Sequence, residues 1–90
     1  MLLKKLIRYL PKDKQKIRIS GLADNSKKVK KNYIFFAING QKFNGEKFIS
    51  QAVSKGASVI ICSKACDYQN NKIFVIKTSN IRKLLSEISQ

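Results

Sequence analysis

Tyr33-Ile34-Phe35-Phe36-Ala37-Ile38, then the polar loop Asn39-Gly40-Gln41-Lys42-Phe43-Asn44-Gly45, and further on Ser58-Val59-Ile60-Ile61-Cys62, decide the fold. Both apolar runs are short, continuous and rich in aromatic and branched residues, which suits strands covered on two faces. Between them Phe48, Ile49, Ala52 and Val53 recur at helical spacing. Asn44 is the expected N-cap of that helix, and Gly56 stands where a C′ residue ends one. Strand, helix and strand thus predict a parallel βαβ crossover, right-handed by the general rule. Asn39-Gly40 gives a sharp exit from the first strand, since both residues tolerate positive φ. Ligands of open α/β sheets collect in loops at the carboxyl ends of strands, so the loop 39–45 is the first candidate site.

Outward from this unit, Leu2, Leu3, Leu6, Ile7 and Leu10 predict an opening amphipathic helix that Pro11 stops. Its apolar face is expected to pack on its own domain. A charged loop follows, and Ile17-Arg18-Ile19 alternates as a short strand with one wet face. Residues 21–32 are polar, with a brief extended piece at Leu22-Ala23. Beyond Cys62, Asn70-Asn71 marks a turn and Ile73-Phe74-Val75-Ile76 a third apolar strand. Ser79 is the expected cap of a last helix, with Ile81, Leu84, Leu85 and Ile88 at i, i+3, i+4 and i+7. The expected fold is a single three-layer α/β/α domain, residues 1–90, with a small mixed sheet containing the parallel βαβ unit.

Ninety residues with 43% hydrophobic and 27% charged side chains describe one small globular domain. Nineteen Lys and Arg against five Asp and Glu give a formal charge of +14, which attracts anions of every kind. The lysines are scattered rather than striped, and Asn and Ile are also abundant, as compositional bias alone would produce. Cys62 and Cys66 are too few for a disulfide framework, and with no histidine in the chain they complete no zinc site. No apolar run approaches membrane-spanning length, and Lys4, Lys5 and Arg8 interrupt any signal-peptide core, so a cytoplasmic protein is expected.

The absence of histidine removes histidine acid–base and triad chemistry. Asp13, Asp24, Glu46, Asp67 and Glu87 lie apart in sequence, and no G-x-x-x-x-G-K-[ST] phosphate loop is present. No catalytic residue and no metal ligand is therefore assigned, and a binding site remains. The start of the central helix offers backbone N–H groups beside Lys42 and Lys47, and Ser26 on the preceding loop adds a hydroxyl. That set suits a phosphorylated ligand, and equally a capped helix with ordinary surface lysines.

The central stretch resembles the N-terminal domain of the Mur ligases, most of all the MurE type that acts on UDP-N-acetylmuramoyl-L-alanyl-D-glutamate. The family pattern runs roughly D-S-R-x-V-x-P-G-D-L-F-x-A-x-x-G-x-x-x-D-G-x-x-[FY]-[IV]-x-x-A-x-x-x-G-A. Asn25-Ser26-Lys27 stands at D-S-R, followed by Val29, and Lys31-Asn32-Tyr33-Ile34-Phe35 stands at P-G-D-L-F. Ala37, Gly40, Asn44-Gly45, Phe48-Ile49, Ala52 and Gly56-Ala57 keep the remaining positions. The departures are Asn25 and Lys27 for an acid and a guanidinium, Lys31-Asn32 for the Pro-Gly turn, and Asn44-Gly45-Glu46 for D-G-H.

The resemblance implies a domain that holds the UDP part of a UDP-N-acetylmuramoyl-peptide, with Ser26 at the nucleotide sugar and Gln41, Lys42 and Phe43 at the uridine. Asp24, Asn25 and Lys27 are implied neighbours, and Asn44 orders the loop. It also implies central ATP-binding and C-terminal domains absent from these 90 residues. ATP and Mg would belong to the former, no cofactor to this chain, and amide ligation to the whole enzyme rather than to this piece. A monomer without membrane or nucleic-acid partner is expected. Two other readings compete: the N-terminal domain of a MurF-type ligase, which shares the central pattern, and a small basic nucleic-acid-binding module stacking bases on Phe43 and Tyr68.

Overall fold

The computed structural model describes residues 2–3, 12–38, 45–64, 66 and 68–88. Four strands form one sheet: β1 Gly21–Ala23, β2 Tyr33–Phe36, β3 Val59–Ser63 and β4 Phe74–Thr78, side by side in chain order. Every neighbouring pair is parallel, with Ile34 opposite Val59 and Val59 opposite Phe74. The expected βαβ unit is thus β2, the central helix and β3, adjacent and parallel. The mixed character expected of the sheet is confined, among the described residues, to an isolated antiparallel bridge between Leu2 and Arg18. Ile17-Arg18-Ile19 contributes that bridge instead of a full strand: Leu3 N–H donates to the Ile17 carbonyl at 2.7 Å, and Ile19 is buried. Of the expected opening helix, Leu2 sits in the bridge and residues 4–10 lie outside the described residues. The brief extended piece at Leu22-Ala23 becomes an edge strand.

Side-chain alternation on the two central strands explains their continuous apolarity. Ile34 and Phe36 of β2, with Val59 and Ile61 of β3, face Leu3, Ile19 and the last helix. Phe35, Ala37, Ile60 and Cys62 face the opposite side, against Val29, Ile49, Ala52 and Cys66. With strands in chain order, crossovers of one hand must lie on one face. Val29, the central helix, Cys66 and Tyr68, drawn from all three crossovers, do pack on the same face. The result is three layers, with the sheet in the middle.

The central helix begins as a 3-10 turn at Gly45–Phe48 and continues as α1, Ile49–Ser54. Ile49 and Ala52 are buried, with Phe48 and Val53 half-buried beside them, which is the predicted face. Its end is a Schellman motif: Gly56 N–H donates to the Val53 carbonyl at 3.0 Å and Ala57 N–H to that of Ala52 at 3.1 Å. Gly56 has φ +114°, and a Cβ there would lie 2.7 Å from Lys31 Cα, so glycine is required on both counts. The Gly56 carbonyl accepts from Asn32 N–H at 2.9 Å, tying the corner to the start of β2. Asn32 itself has φ 65°, the positive value expected where the resembling pattern has glycine.

The last helix, α2, spans Ile81–Ile88 and packs Ile81, Leu84 and Leu85 on the sheet, while the side chain of Ile88 lies outside the described residues. Its cap is Asn80 rather than the expected Ser79. Asn80 Oδ1 accepts from Lys83 N–H at 3.0 Å, because only the residue immediately before the first helical one reaches the N3 amide. Replacing Asn80 with alanine is expected to lower stability by about 1 kcal/mol. Ser79→Ala should stay within about 0.5 kcal/mol of the parent, with both variants read by urea titration.

Candidate functional site

Because all four strands are parallel, their carboxyl ends share one edge of the sheet. Loop 24–28 leaves β1 there, the chain leaves β2 there at 37–38, and β4 turns there into α2. The first of these loops is built by asparagine chemistry. Asn25 caps a 3-10 turn at Ser26–Lys28, its Oδ1 accepting from Lys27 N–H at 2.9 Å and its carbonyl from Lys28 N–H at 2.9 Å. Short polar side chains form such turns readily, and the aspartate of the resembling pattern would do the same.

Ser26 is the one buried polar side chain among the described residues, at 4% exposure. Its hydroxyl donates to Oε1 of Gln51 on α1 at 3.1 Å. Asp24, Asn25 and Lys27 around it are exposed. Ser26 therefore anchors the loop, while its neighbours present the polar surface. Gln51 was not singled out in the sequence. It lies 25 residues from Ser26 on the polar side of a short helix, where a glutamine reads as solvated.

The second expected loop is fixed at its ends. Gln41, Lys42, Phe43 and Asn44 lie outside the described residues, as do Asn39 and Gly40. Ile38 and Gly45, which flank them, are held together by a bond from Gly45 N–H to the Ile38 carbonyl at 3.0 Å. A Cβ on Gly45 would lie 2.6 Å from Ile38 N and 2.7 Å from Ile38 O, so glycine alone allows this approach. The chain therefore leaves and re-enters at one point on the carboxyl end of β2. The expected anion site at the start of the central helix loses weight, because the stretch opens as a 3-10 turn and α1 has only six residues.

A feature missed in the sequence lies further along the same edge. A cleft of about 220 Å³ is lined by Ile38, Ser63, Thr78, Ser79, Asn80, Ile81 and Arg82. The rule applied to β2 would have found it, since Thr78-Ser79-Asn80 is a polar run at the carboxyl end of β4. Ile38 joins this cleft to the root of the 39–44 loop. The only ion pair among the described residues is Asp13–Lys14 at 4.0 Å. Lys27, Lys28 and Arg82 thus have no carboxylate partner there, and the edge is electropositive. Cys62 and Cys66 form no disulfide and are buried in the core beside α1, and among the described residues no three His, Cys, Asp or Glu side chains converge. Tyr68 packs against that same core, its hydroxyl accepting from Asn70 Nδ2 at 3.1 Å.

Comparison with known proteins gives this edge its context. Residues 18–90 match the family model described as Mur ligase family, catalytic domain. The chain belongs to the Mur ligase family. Its fold is that of the family's N-terminal domain, as the central stretch implied. It is 41% identical over 75 residues to a UDP-N-acetylmuramyl-tripeptide synthetase of Borrelia garinii, covering 81% of this chain and 15% of that protein. It is also 41% identical over 86 residues to a UDP-N-acetylmuramoyl-L-alanyl-D-glutamate--2,6-diaminopimelate ligase of Clostridium tetani, covering 93% of this chain and 18% of that protein. A crystal structure of MurF from Acinetobacter baumannii superposes with a TM-score of 0.69 at 20% identity over 94% of this chain and 18% of that one, a likeness of fold alone. The chain therefore spans less than a fifth of the length of these Mur ligases. Among the described residues no helix is long and apolar enough to cross a membrane.

Proposed function

We propose that this chain binds the UDP part of a UDP-N-acetylmuramoyl-peptide, as the nucleotide-holding domain of a cytoplasmic MurE-type ligase of peptidoglycan synthesis. ATP and Mg would act in a central domain outside these 90 residues, and the chain by itself carries no amide-forming activity. The single observation that carries this reading is the convergence of loop 24–28 and the ends of loop 39–44 on the carboxyl edge of β1 and β2, where open α/β sheets take nucleotides. The names of relatives at 41% identity supply the identity of the nucleotide and favour the MurE type. The MurF alternative is supported by likeness to solved MurF structures at 20% and 26% identity, below the 41% of the MurE-type relatives.

Asn25 and Lys27 on the first loop, with Gln41, Lys42, Phe43 and Asn44 on the second, form the contact surface in this reading. Asp24 and Ser26 belong to the same surface, with Ser26 also anchoring the first loop through its bond to Gln51. Affinity of these 90 residues for UDP alone should be weak, because most contacts to the sugar and peptide would come from the family's other domains. Isothermal titration at rising salt separates this function from the nucleic-acid alternative. UDP-N-acetylmuramoyl-dipeptide should still bind at about 0.3 M NaCl, while heat from generic RNA should vanish. Retained RNA binding with no nucleotide-sugar heat would reverse the assignment.

A further inference from the structure

Lysines that lie scattered along the sequence are gathered by the fold at the amino edge of the sheet, opposite the candidate nucleotide edge. Parallel strands share that edge as they share the carboxyl one, and each strand is entered past a cation. Arg18 precedes β1, Lys30 and Lys31 precede β2, Lys55 precedes β3 and Lys72 precedes β4. Backbone bonds tie these entries together. Ser20 N–H donates to the Asn32 carbonyl at 2.8 Å, Asn32 N–H to that of Gly56 at 2.9 Å, and Phe74 N–H to that of Ser58 at 3.3 Å. Lys14 reaches the same edge, its Nζ 5.4 Å from the centre of the Phe74 ring. The segment from Lys14 to Ser20 therefore crosses the edge from β4 towards β1, with Ile17 and Ile19 turned to the core and Lys16 exposed between them and Lys14. Lys16, Arg18, Lys30, Lys31, Lys55 and Lys72 are all exposed. The one carboxylate that the described residues place on this edge, Asp13, is paired with Lys14 at 4.0 Å.

We propose that this amino edge is an adsorption surface for an anionic lipid bilayer, which holds the chain peripherally at a membrane with its carboxyl edge turned to the solution. Shape and residue type favour a bilayer over a nucleic acid. Lys16 and Arg18 lie on the side of the sheet that carries Leu3 and α2, while Lys30, Lys31, Lys55 and Lys72 end the crossovers packed on the other side. The cations thus cover an area that spans four strand entries, about 15 Å across at the usual strand spacing. A single nucleic-acid strand follows a line of cations and stacks its bases on exposed aromatic rings. The aromatics at this edge, Tyr33 and Phe74, are half-buried and packed on the two cores. Five of the six exposed cations are lysines, compact point charges without the planar fork that grips one phosphate. Such charges act additively on a diffuse anionic surface within a Debye length of it. The expectation of no membrane partner rested on the lack of a spanning segment, which peripheral adsorption does not need. This surface is independent of the nucleotide reading, and failure of either leaves the other standing.

The test is co-sedimentation of the full chain with vesicles of phosphatidylcholine containing about 30% phosphatidylglycerol, at about 0.1 M NaCl. The chain should bind these vesicles and stay in the supernatant with phosphatidylcholine alone. Lys30→Gln with Lys31→Gln should lower the partition coefficient about twenty-fold, roughly five-fold for each charge. Lys64→Gln with Lys83→Gln removes the same net charge from the other end of the sheet. Lys64 follows β3 and so lies about 15 Å from the amino edge, beyond the Debye length of about 10 Å. That pair should stay within about two-fold of the parent. All four side chains are exposed, so both pairs should keep the parental urea midpoint. Equal losses for the two pairs would show that net charge alone is read and that the amino edge has no special part. No binding to the mixed vesicles, or equal binding to phosphatidylcholine alone, would overturn the proposal. A generic single-stranded RNA that binds more tightly than the vesicles, and is released by Lys30→Gln with Lys31→Gln, would assign the edge to nucleic acid instead.

Discussion

Phe35→Ala is expected to bring the domain close to unfolding. Phe35 is fully buried on the second of four strands, faces the α1 side, and stands opposite Ile60 on β3. Truncating a buried phenylalanine costs about 3–5 kcal/mol, the lost transfer energy plus the cavity left behind. A 90-residue domain has a total of roughly 5–13 kcal/mol to lose. Urea titration followed by circular dichroism should therefore show a midpoint lowered by about 2 M or more. Val75→Ala on the half-buried edge strand β4 should cost less than half as much. Equal effects at the two positions would mean that β2 is not at the centre of the core.

Gly45→Ala is expected to damage stability and site together. Its Cβ would meet Ile38 N at 2.6 Å, Ile38 O at 2.7 Å and Ala37 C at 2.8 Å, all backbone atoms at the end of a central strand. No rotamer relieves such a contact. The backbone must separate, and the bond from Gly45 N–H to the Ile38 carbonyl lengthens with it. Overpacking together with a weakened hydrogen bond amounts to about 2–4 kcal/mol. The displaced loop ends should also abolish measurable UDP binding even at temperatures where the variant stays folded. Gly21→Ala is the informative control, because its Cβ would meet only the ring of Tyr33 at 2.6 Å, and a half-buried side chain can swing aside. That variant should lose about 1 kcal/mol at most and keep its ligand. A Gly45→Ala chain with parental stability and parental affinity would show that the closed loop root has no role in either.

What the sequence made legible follows from where information is local. The runs 33–38 and 58–62 are apolar without interruption because both faces of β2 and β3 are covered, and a short run of branched and aromatic residues rarely arises in any other setting. Gly56 was readable as a helix end because its positive φ has few other occupants. Weak local signals misled where two neighbours offered the same chemistry. Ser79 and Asn80 are both good caps, and only the first residue of α2 decides between them. Ile17-Arg18-Ile19 alternates like a strand, but among the described residues it forms one isolated bridge, to Leu2, since partners are fixed by topology and not by pattern. Of the site, loop 24–28 was legible from the hydroxyl of Ser26 and the resemblance to D-S-R, and its Asn25-capped turn and the burial of Ser26 were not. The Ser26–Gln51 contact joins positions 25 residues apart through two side chains that carry no sequence signature as a pair. The cleft at Thr78, Ser79, Asn80 and Arg82 was overlooked although the same edge rule reached it.

The location of the nucleotide is the claim on which the rest depends, and an amide chemical-shift titration of the 90-residue chain with UDP-N-acetylmuramoyl-dipeptide at about 0.15 M NaCl tests it most directly. The expected result is saturable shifts confined to residues 24–28, 40–45 and the adjoining Ile38, with Lys77, an exposed lysine on the edge strand β4, unaffected. Shifts spread over lysines on every face, non-saturating and erased by added salt, would show that the ligand meets only the overall positive charge and that the carboxyl edge of β1 and β2 is not a nucleotide site.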